Sequence, residues 1–189
     1  MKATIAIDIQ APPRLLFDLA RDVERWPALL PHYVQVAVRQ REPDGRRTAD
    51  MVAVRPIVPV LGLGIPVAWR ATTWAEEATL RLRFRHLAGA TRGMDVTWRI
   101  EATTDGCRVS IEHDFRPRFA PWALFVDRLF VRPIAGRTLA TFKAIAEAVV
   151  ASAPAASPAP PAVPPAASRK RSAPSRKRSE RGSAPKTST

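Results

Sequence analysis

Between Leu80 and Phe115 apolar and polar side chains alternate through three runs. Leu80, Leu82, Phe84 and His86 share one parity, and Arg81, Arg83 and Arg85 the other. Met94, Val96, Trp98 and Ile100 repeat the pattern against Asp95, Thr97, Arg99 and Glu101. Cys107, Val109, Ile111, His113 and Phe115 then alternate with Arg108, Ser110, Glu112 and Asp114. Successive strand side chains point to opposite faces, so these runs predict a sheet with one dry face and one wet face. His86 and His113 fall on the dry face, which is therefore either a packed core or the wall of a cavity.

The rest of the chain supplies the other elements. Thr4–Gln10 predicts a first strand with Ile5, Ile7 and Ile9 on one side. Ala11-Pro12-Pro13 ends it and opens a helix over Arg14–Ala20, where proline in the first turn is tolerated. Asp22 is expected to cap a second short helix that runs through Trp26 to about Leu30. Tyr33–Arg41 and Arg47–Val54 predict a strand pair that turns at Pro43-Asp44-Gly45. Strands are expected at Val67–Ala75, Thr79–His86, Met94–Ala102 and Cys107–Phe115, with Asp105-Gly106 as a hairpin signal. From Pro121 the period becomes helical, with Leu139, Phe142, Ile145, Ala146 and Val149 on one stripe and Pro133 dividing a short leading helix from a long final one. The order strand, two short helices, six strands, long helix predicts an α+β fold. In it a curved, mostly antiparallel sheet of seven strands wraps around the C-terminal helix.

Composition changes this picture at the C-terminus. The 189 residues carry a formal charge of +13, and residues 151–189 hold eight Lys/Arg against Glu180 alone, or +7. The remaining +6 belongs to 1–150, which is expected to form the single folded domain. Beyond Val150 the sequence is rich in Ala, Pro and Ser, predicting a disordered tail with too few large apolar side chains to offset ordering entropy. Its clusters Arg169-Lys170-Arg171 and Arg176-Lys177-Arg178 suit phosphate-bearing partners, either nucleic acid or an anionic membrane surface reached through 168–186, or serve only as a solubilising tail. No aromatic residue is interleaved with them, so base stacking is not indicated. Asp8 breaks the early apolar alternation and the longest uncharged apolar run, Pro56–Trp69, has fourteen residues against the roughly 20 of a membrane span. A cytoplasmic protein, peripheral at the membrane if the tail binds lipid, is the expectation. The segment Pro56–Pro66 concentrates Ile57, Val58, Val60, Leu61, Leu63 and Ile65, and its prolines and glycines argue against regular structure. A lid over a pocket, a wedge into a bilayer and a protein contact all fit it.

Most enzyme classes lose their residues at this point. Ser110 is the sole serine before Ser152 and has outward parity, which disfavours a serine triad. Three histidines and Cys107 show no metal-ligand spacing, and Gly62-Leu63-Gly64 lacks the strand-to-helix setting of a nucleotide site, so neither metal nor cofactor is expected. Cys107 reads as a small core residue, and His32 as an exposed one. If the Asp105-Gly106 turn sets His113 opposite Trp98, the two dry-face imidazoles lie roughly 15–18 Å apart, too far for a shared proton relay.

Asp22-Val23-Glu24-Arg25-Trp26-Pro27 followed by Pro31-His32-Tyr33 resembles the signature of polyketide cyclase/dehydrase-like proteins, members of the START-related helix-grip (SRPBCC) superfamily. Arg92-Gly93-Met94 with Trp98, and Ile134–Leu139 in the last helix, are similar to the same group. Coenzyme Q-binding START-domain proteins are related to it. The resemblance covers about 1–150 and implies a deep apolar pocket between sheet and terminal helix, without implying catalysis. The implied function is binding of a hydrophobic small molecule: an aromatic polyketide, a quinone or a lipid-like compound. The alternatives are a cyclase/aromatase that uses Tyr33, His86 and His113 as acid/base groups, and an interaction module tethered by the basic tail. Trp69, Arg70, Trp74, Phe84, Met94, Trp98 and Phe142 are the expected ligand contacts. Trp69 and Arg70 have opposite parity, so only one of them can face inward.

Overall fold

A computed structural model describes residues 1–58, 63–117 and 119–153. The readings made for 154–189, and for the tip of the Pro56–Pro66 segment at 59–62, lie outside the described residues. The chain forms β1 (Lys2–Ile9), α1 (Pro13–Arg21), a 3-10 turn (Val23–Arg25) and α2 (Trp26–Leu29). It continues through β2 (Tyr33–Arg41), β3 (Arg47–Val58), β4 (Leu63–Glu76), β5 (Arg81–Gly89), β6 (Asp95–Thr103) and β7 (Gly106–Asp114). Helix α3 (Ala120–Val126), a π-helical turn (Asp127–Val131) and α4 (Arg132–Ser152) follow. All neighbouring strands are antiparallel, in the order β1-β7-β6-β5-β4-β3-β2. This is the helix-grip architecture: a seven-stranded sheet with the long α4 laid on its dry face.

Each layer follows from its sequence pattern. Leu82, Phe84, Val96, Trp98, Ile100, Val109 and Ile111 are buried, while the arginines of the opposite parity point to solvent and pair across strands, as Arg99 does with Glu112 at 2.7 Å. Helix α4 closes the dry face with Ala135, Thr138, Leu139, Phe142 and Ala146. Its stripe ends there, since Val149 is exposed. Helix α1 buries Leu16, Phe17 and Ala20, with Leu15 and Leu19 at the margin of that face.

Four expectations are corrected. Asp22 makes no side-chain cap; its carboxylate lies 3.9 Å from Arg47 instead. The division between α3 and α4 comes from the π-helical turn, whose extra residue precedes Pro133, and the proline then sits harmlessly in the first turn of α4. The strands also run well into the Pro56–Pro66 segment, pairing Val54 with Pro66 and Pro56 with Gly64. Past Tyr33↔Ala53 no β2 residue pairs with β3, so the missing N–H of Pro56 falls on an open edge where a ladder tolerates it.

The fourth correction moves a register. The β6–β7 turn is centred on Thr104-Asp105, because Thr103 pairs with Gly106. His113 therefore lies opposite Val96, two residues from the position that Asp105-Gly106 as the turn centre implied. Gly106 holds φ +152°, and a Cβ there would collide with the Ile9 carbonyl and come within 2.8 Å of the Ala11 nitrogen. Gly106→Ala is expected to destabilise the fold by about 2 kcal/mol or more, through strained backbone and a displaced β1–α1 junction. Urea denaturation checks this; an unchanged midpoint would mean that the junction yields freely.

Candidate functional site

The dry face does not pack solidly against α4. A cavity remains between β3–β7, the start of α4 and the π-helical turn, and the space open to the centre of a water-sized sphere is about 80 Å³. That is several waters' worth, but less than the roughly 300–1,000 Å³ of a pocket that envelops a drug-sized ligand. Its walls are mainly apolar. Seven of the expected site residues meet there: Tyr33, Trp69, Phe84, His86, Met94, Trp98 and His113.

Three do not. Arg70 points to solvent, where Nε donates to Asp50 Oδ1 at 2.6 Å, and Arg39 shares the same carboxylate. Together these arginines hold Asp50 down to about 2. Parity decides the outcome, since Trp69 takes the inward place next to Arg70. Trp74 is on the outer face too, beneath the Arg46 guanidinium at 4.7 Å from the ring centroid. Phe142 is buried behind the cavity wall rather than lining it, edge-on to Trp98 at 6.0 Å and to Trp26 at 6.2 Å.

Trp26, at the start of α2, organises that wall. Its Nε1 donates to the Ala20 carbonyl at 3.0 Å, and its ring lies 4.9 Å from Tyr33 and 5.7 Å from both Phe84 and Trp98. Tyr33 is buried at the first residue of β2, and loss of solvent raises its phenol pKa well above the ordinary value. His32 next to it is buried too, contrary to the exposed position expected. Its Nε2 is 2.8 Å from Thr138 Oγ1, and that hydroxyl donates to the Ile134 carbonyl. A hydroxyl has one proton to give, so His32 must be the donor, which places its proton on Nε2.

The two dry-face histidines share the cavity, so the wide separation expected for them is wrong. The two-residue shift of register brings them nearer, and the charged form of His113 is among the causes that depress His86. His86 stacks on Trp69 with ring centroids 5.8 Å apart, and its Nδ1 meets Thr91 Oγ1 at 2.6 Å. Burial lowers His86 to about 3 and His113 to about 4. For His113 the Asp127 carboxylate and the Ala3 backbone oppose that shift without reversing it. Both imidazoles are thus neutral near neutral pH.

Asp127 is the member the sequence reading missed. It is buried in the π-helical turn; Oδ2 accepts from Arg132 Nε at 2.8 Å, and Oδ1 has no partner. A lone acid inside the apolar run Trp122–Val131 was the available signal. Trp69 Nε1 and His113 Nδ1 are likewise buried without a partner. Two such atoms on residues that line one cavity call for an explanation, since each costs about 1–3 kcal/mol if nothing satisfies it.

Comparisons with known proteins agree with this geometry. The family model described as "Polyketide cyclase / dehydrase and lipid transport" matches residues 1–149. A putative polyketide cyclase of Streptomyces cyaneus is 32% identical over 110 residues, covering 58% of this chain and 68% of that protein. A second, from Streptomyces halstedii, is 31% identical over 101 residues, covering 53% and 87%. The crystal structure of the Zhui aromatase/cyclase from Streptomyces sp. R1128 superimposes with a TM-score of 0.66 at 16% identity, covering 79% of this chain and 95% of that one, a likeness of fold. No helix among the described residues is long and apolar enough to cross a membrane. With its cavity between sheet and closing helix, and a family model matched over the whole folded unit, the chain belongs to the polyketide cyclase/dehydrase and lipid transport family.

Proposed function

We propose that the cavity binds a hydrophobic small molecule that carries at least one oxygen, in the class of aromatic polyketides, quinones and lipid-like compounds. The observation that supports this is the pair of unpartnered buried atoms, Trp69 Nε1 and His113 Nδ1, on two residues that line a mainly apolar space. An indole N–H can only donate, so its complement is a carbonyl, ether or hydroxyl oxygen. A neutral imidazole Nδ1 accepts a hydroxyl or donates to a second oxygen. A purely aliphatic ligand would leave both atoms unsatisfied. A full-sized ligand also requires the walls to part, because about 80 Å³ is too small for fused rings.

Cyclase chemistry is the second reading, supported by the meeting of Tyr33, His86 and His113 in one cavity. An aldol cyclisation needs a proton taken from an activated methylene, a proton given to the attacked carbonyl oxygen, and finally loss of water. An imidazole at about 4 is a weak base for the first of these. The lowered histidine values therefore favour binding, and catalysis would require a bound ligand to alter that environment.

Native mass spectrometry of the full chain, purified without detergent, tests the proposal. A retained oxygen-bearing apolar compound is expected in the parent protein and not in Ala135→Phe, whose ring would occupy the cavity at a cost of about 1–3 kcal/mol in stability. Equal retention by both proteins would place the ligand elsewhere and overturn the assignment. Turnover of a poly-β-ketone by the parent chain, lost in Tyr33→Phe or His113→Gln while the compound is still bound, would select the cyclase reading.

A further inference from the structure

An apolar surface stands on the N-terminal side of the long helix. Phe119, Trp122, Leu124 and Phe125 are 67%, 38%, 53% and 46% exposed. Scattered exposed leucines need no explanation, but contiguous exposed aromatic rings do. These are contiguous: Trp122 and Phe125 stack with centroids 5.2 Å apart, and Trp122 Nε1 donates to the Ala90 carbonyl in the β5–β6 turn. Phe125 meets Phe130 edge-on at 5.9 Å, and Phe130 lines the cavity. Aromatic surface thus runs unbroken from solvent to the cavity wall.

The charge around it is mainly positive, although Arg116 pairs with Asp114 at 3.1 Å. Residues 115–137 contain five arginines and a single acid, Asp127, which is buried and paired with Arg132. Arg128 follows α3, and Arg92 lies in the turn that accepts the Trp122 bond. Both are exposed and make no salt bridge among the described residues. An acidic protein would meet the same arginines, but three large rings beside them suit a headgroup region, where indole and phenyl groups settle next to phosphates.

We propose that this face docks on an anionic phospholipid surface, with Phe119, Trp122 and Phe125 entering the headgroup layer and Arg92 and Arg128 meeting lipid phosphates. Docking would turn the cavity's aromatic wall toward the hydrocarbon boundary and let an apolar ligand pass without crossing water. That consequence rests on the ligand-binding reading; the docking does not.

The test is flotation of the full chain with vesicles of phosphatidylcholine alone and of an equal mixture with phosphatidylglycerol. Brominated acyl chains report which tryptophan inserts. Binding to the mixed vesicles is expected with quenching of tryptophan emission that is absent in Trp122→Phe. Phe119→Ser/Phe125→Ser, at positions too exposed to be needed for folding, should bind about tenfold more weakly or worse, with its melting temperature retained. The basic segment 168–186 is intact in that variant. If it binds the mixed vesicles as tightly as the parent, without quenching, the tail alone holds the membrane and the proposal fails. It fails equally if the parent ignores both vesicles, whether the face instead captures an acidic protein or forms a dimer that Phe119→Ser/Phe125→Ser dissociates in light scattering. Ligand retention, followed by mass spectrometry, is a separate readout, so loss of one claim leaves the other measurable.

Discussion

Acidification from about pH 7 to about pH 5 is expected to weaken this fold by several kcal/mol. Burial pushes His32 and His113 down to about 4 and His86 to about 3, against an ordinary value of 6.5. For His32 the Arg137 charge adds to the effect of burial, and for His86 the His113 charge does. Folded-state values below the unfolded one mean that the unfolded chain takes up protons first as pH falls. The stability these groups contribute is therefore whole above about 6.5 and declines as pH drops toward 4 and then 3. Each pH unit in that window weakens the fold by about 1.4 kcal/mol per histidine, or about 4 kcal/mol for three, against a typical total of about 5–15 kcal/mol. Urea midpoints at a series of pH values measure the slope, and His86→Gln should flatten it by about a third. A midpoint that holds constant across this range would show that the imidazoles protonate inside the folded chain, through water that reaches the cavity.

Trp26→Ala should be the most damaging single truncation, costing about 3–5 kcal/mol. The indole is fully buried, contacts Tyr33, Phe84, Trp98 and Phe142, and donates to the Ala20 carbonyl, which would be left unpaired. The four rings around it cannot flow into the void as a methionine would. Trp26→Phe retains part of the packing and loses only the hydrogen bond, so it should cost less than half as much. Chemical denaturation with near-ultraviolet circular dichroism reads both. A loss below about 1.5 kcal/mol for the alanine variant would mean that the cluster collapses onto the cavity instead of bearing the wall.

Period-two alternation was enough to find the inner face of β5, β6 and β7, and with it Phe84, Met94, Trp98 and both cavity histidines. Parity also separated Trp69 from Arg70, although it could not say which of them faced inward. Distances were harder. A shift of two residues at one turn keeps every side chain on its face while moving it several ångströms along the strand, so alternation is blind to it. The burial of His32 depends on Thr138, more than a hundred residues away, and no local pattern carries that pairing. Asp127 was hidden because its pattern is an ordinary helix with one acid, and only the π-helical turn buries it. The strand pairs through Pro56 and Gly64 contradicted local propensity because an open edge removes the usual penalty for proline.

The order of strands has a consequence for how the chain is made. Strand β1 pairs only with β7, joining Lys2 to Asp114, while the five intervening hairpins connect neighbours. A ribosome therefore releases the first strand long before its partner exists, and its isoleucines must wait, unpaired, through the synthesis of more than half the protein. Closure of the grip is a late, non-local event, slow by the usual dependence of rate on contact order.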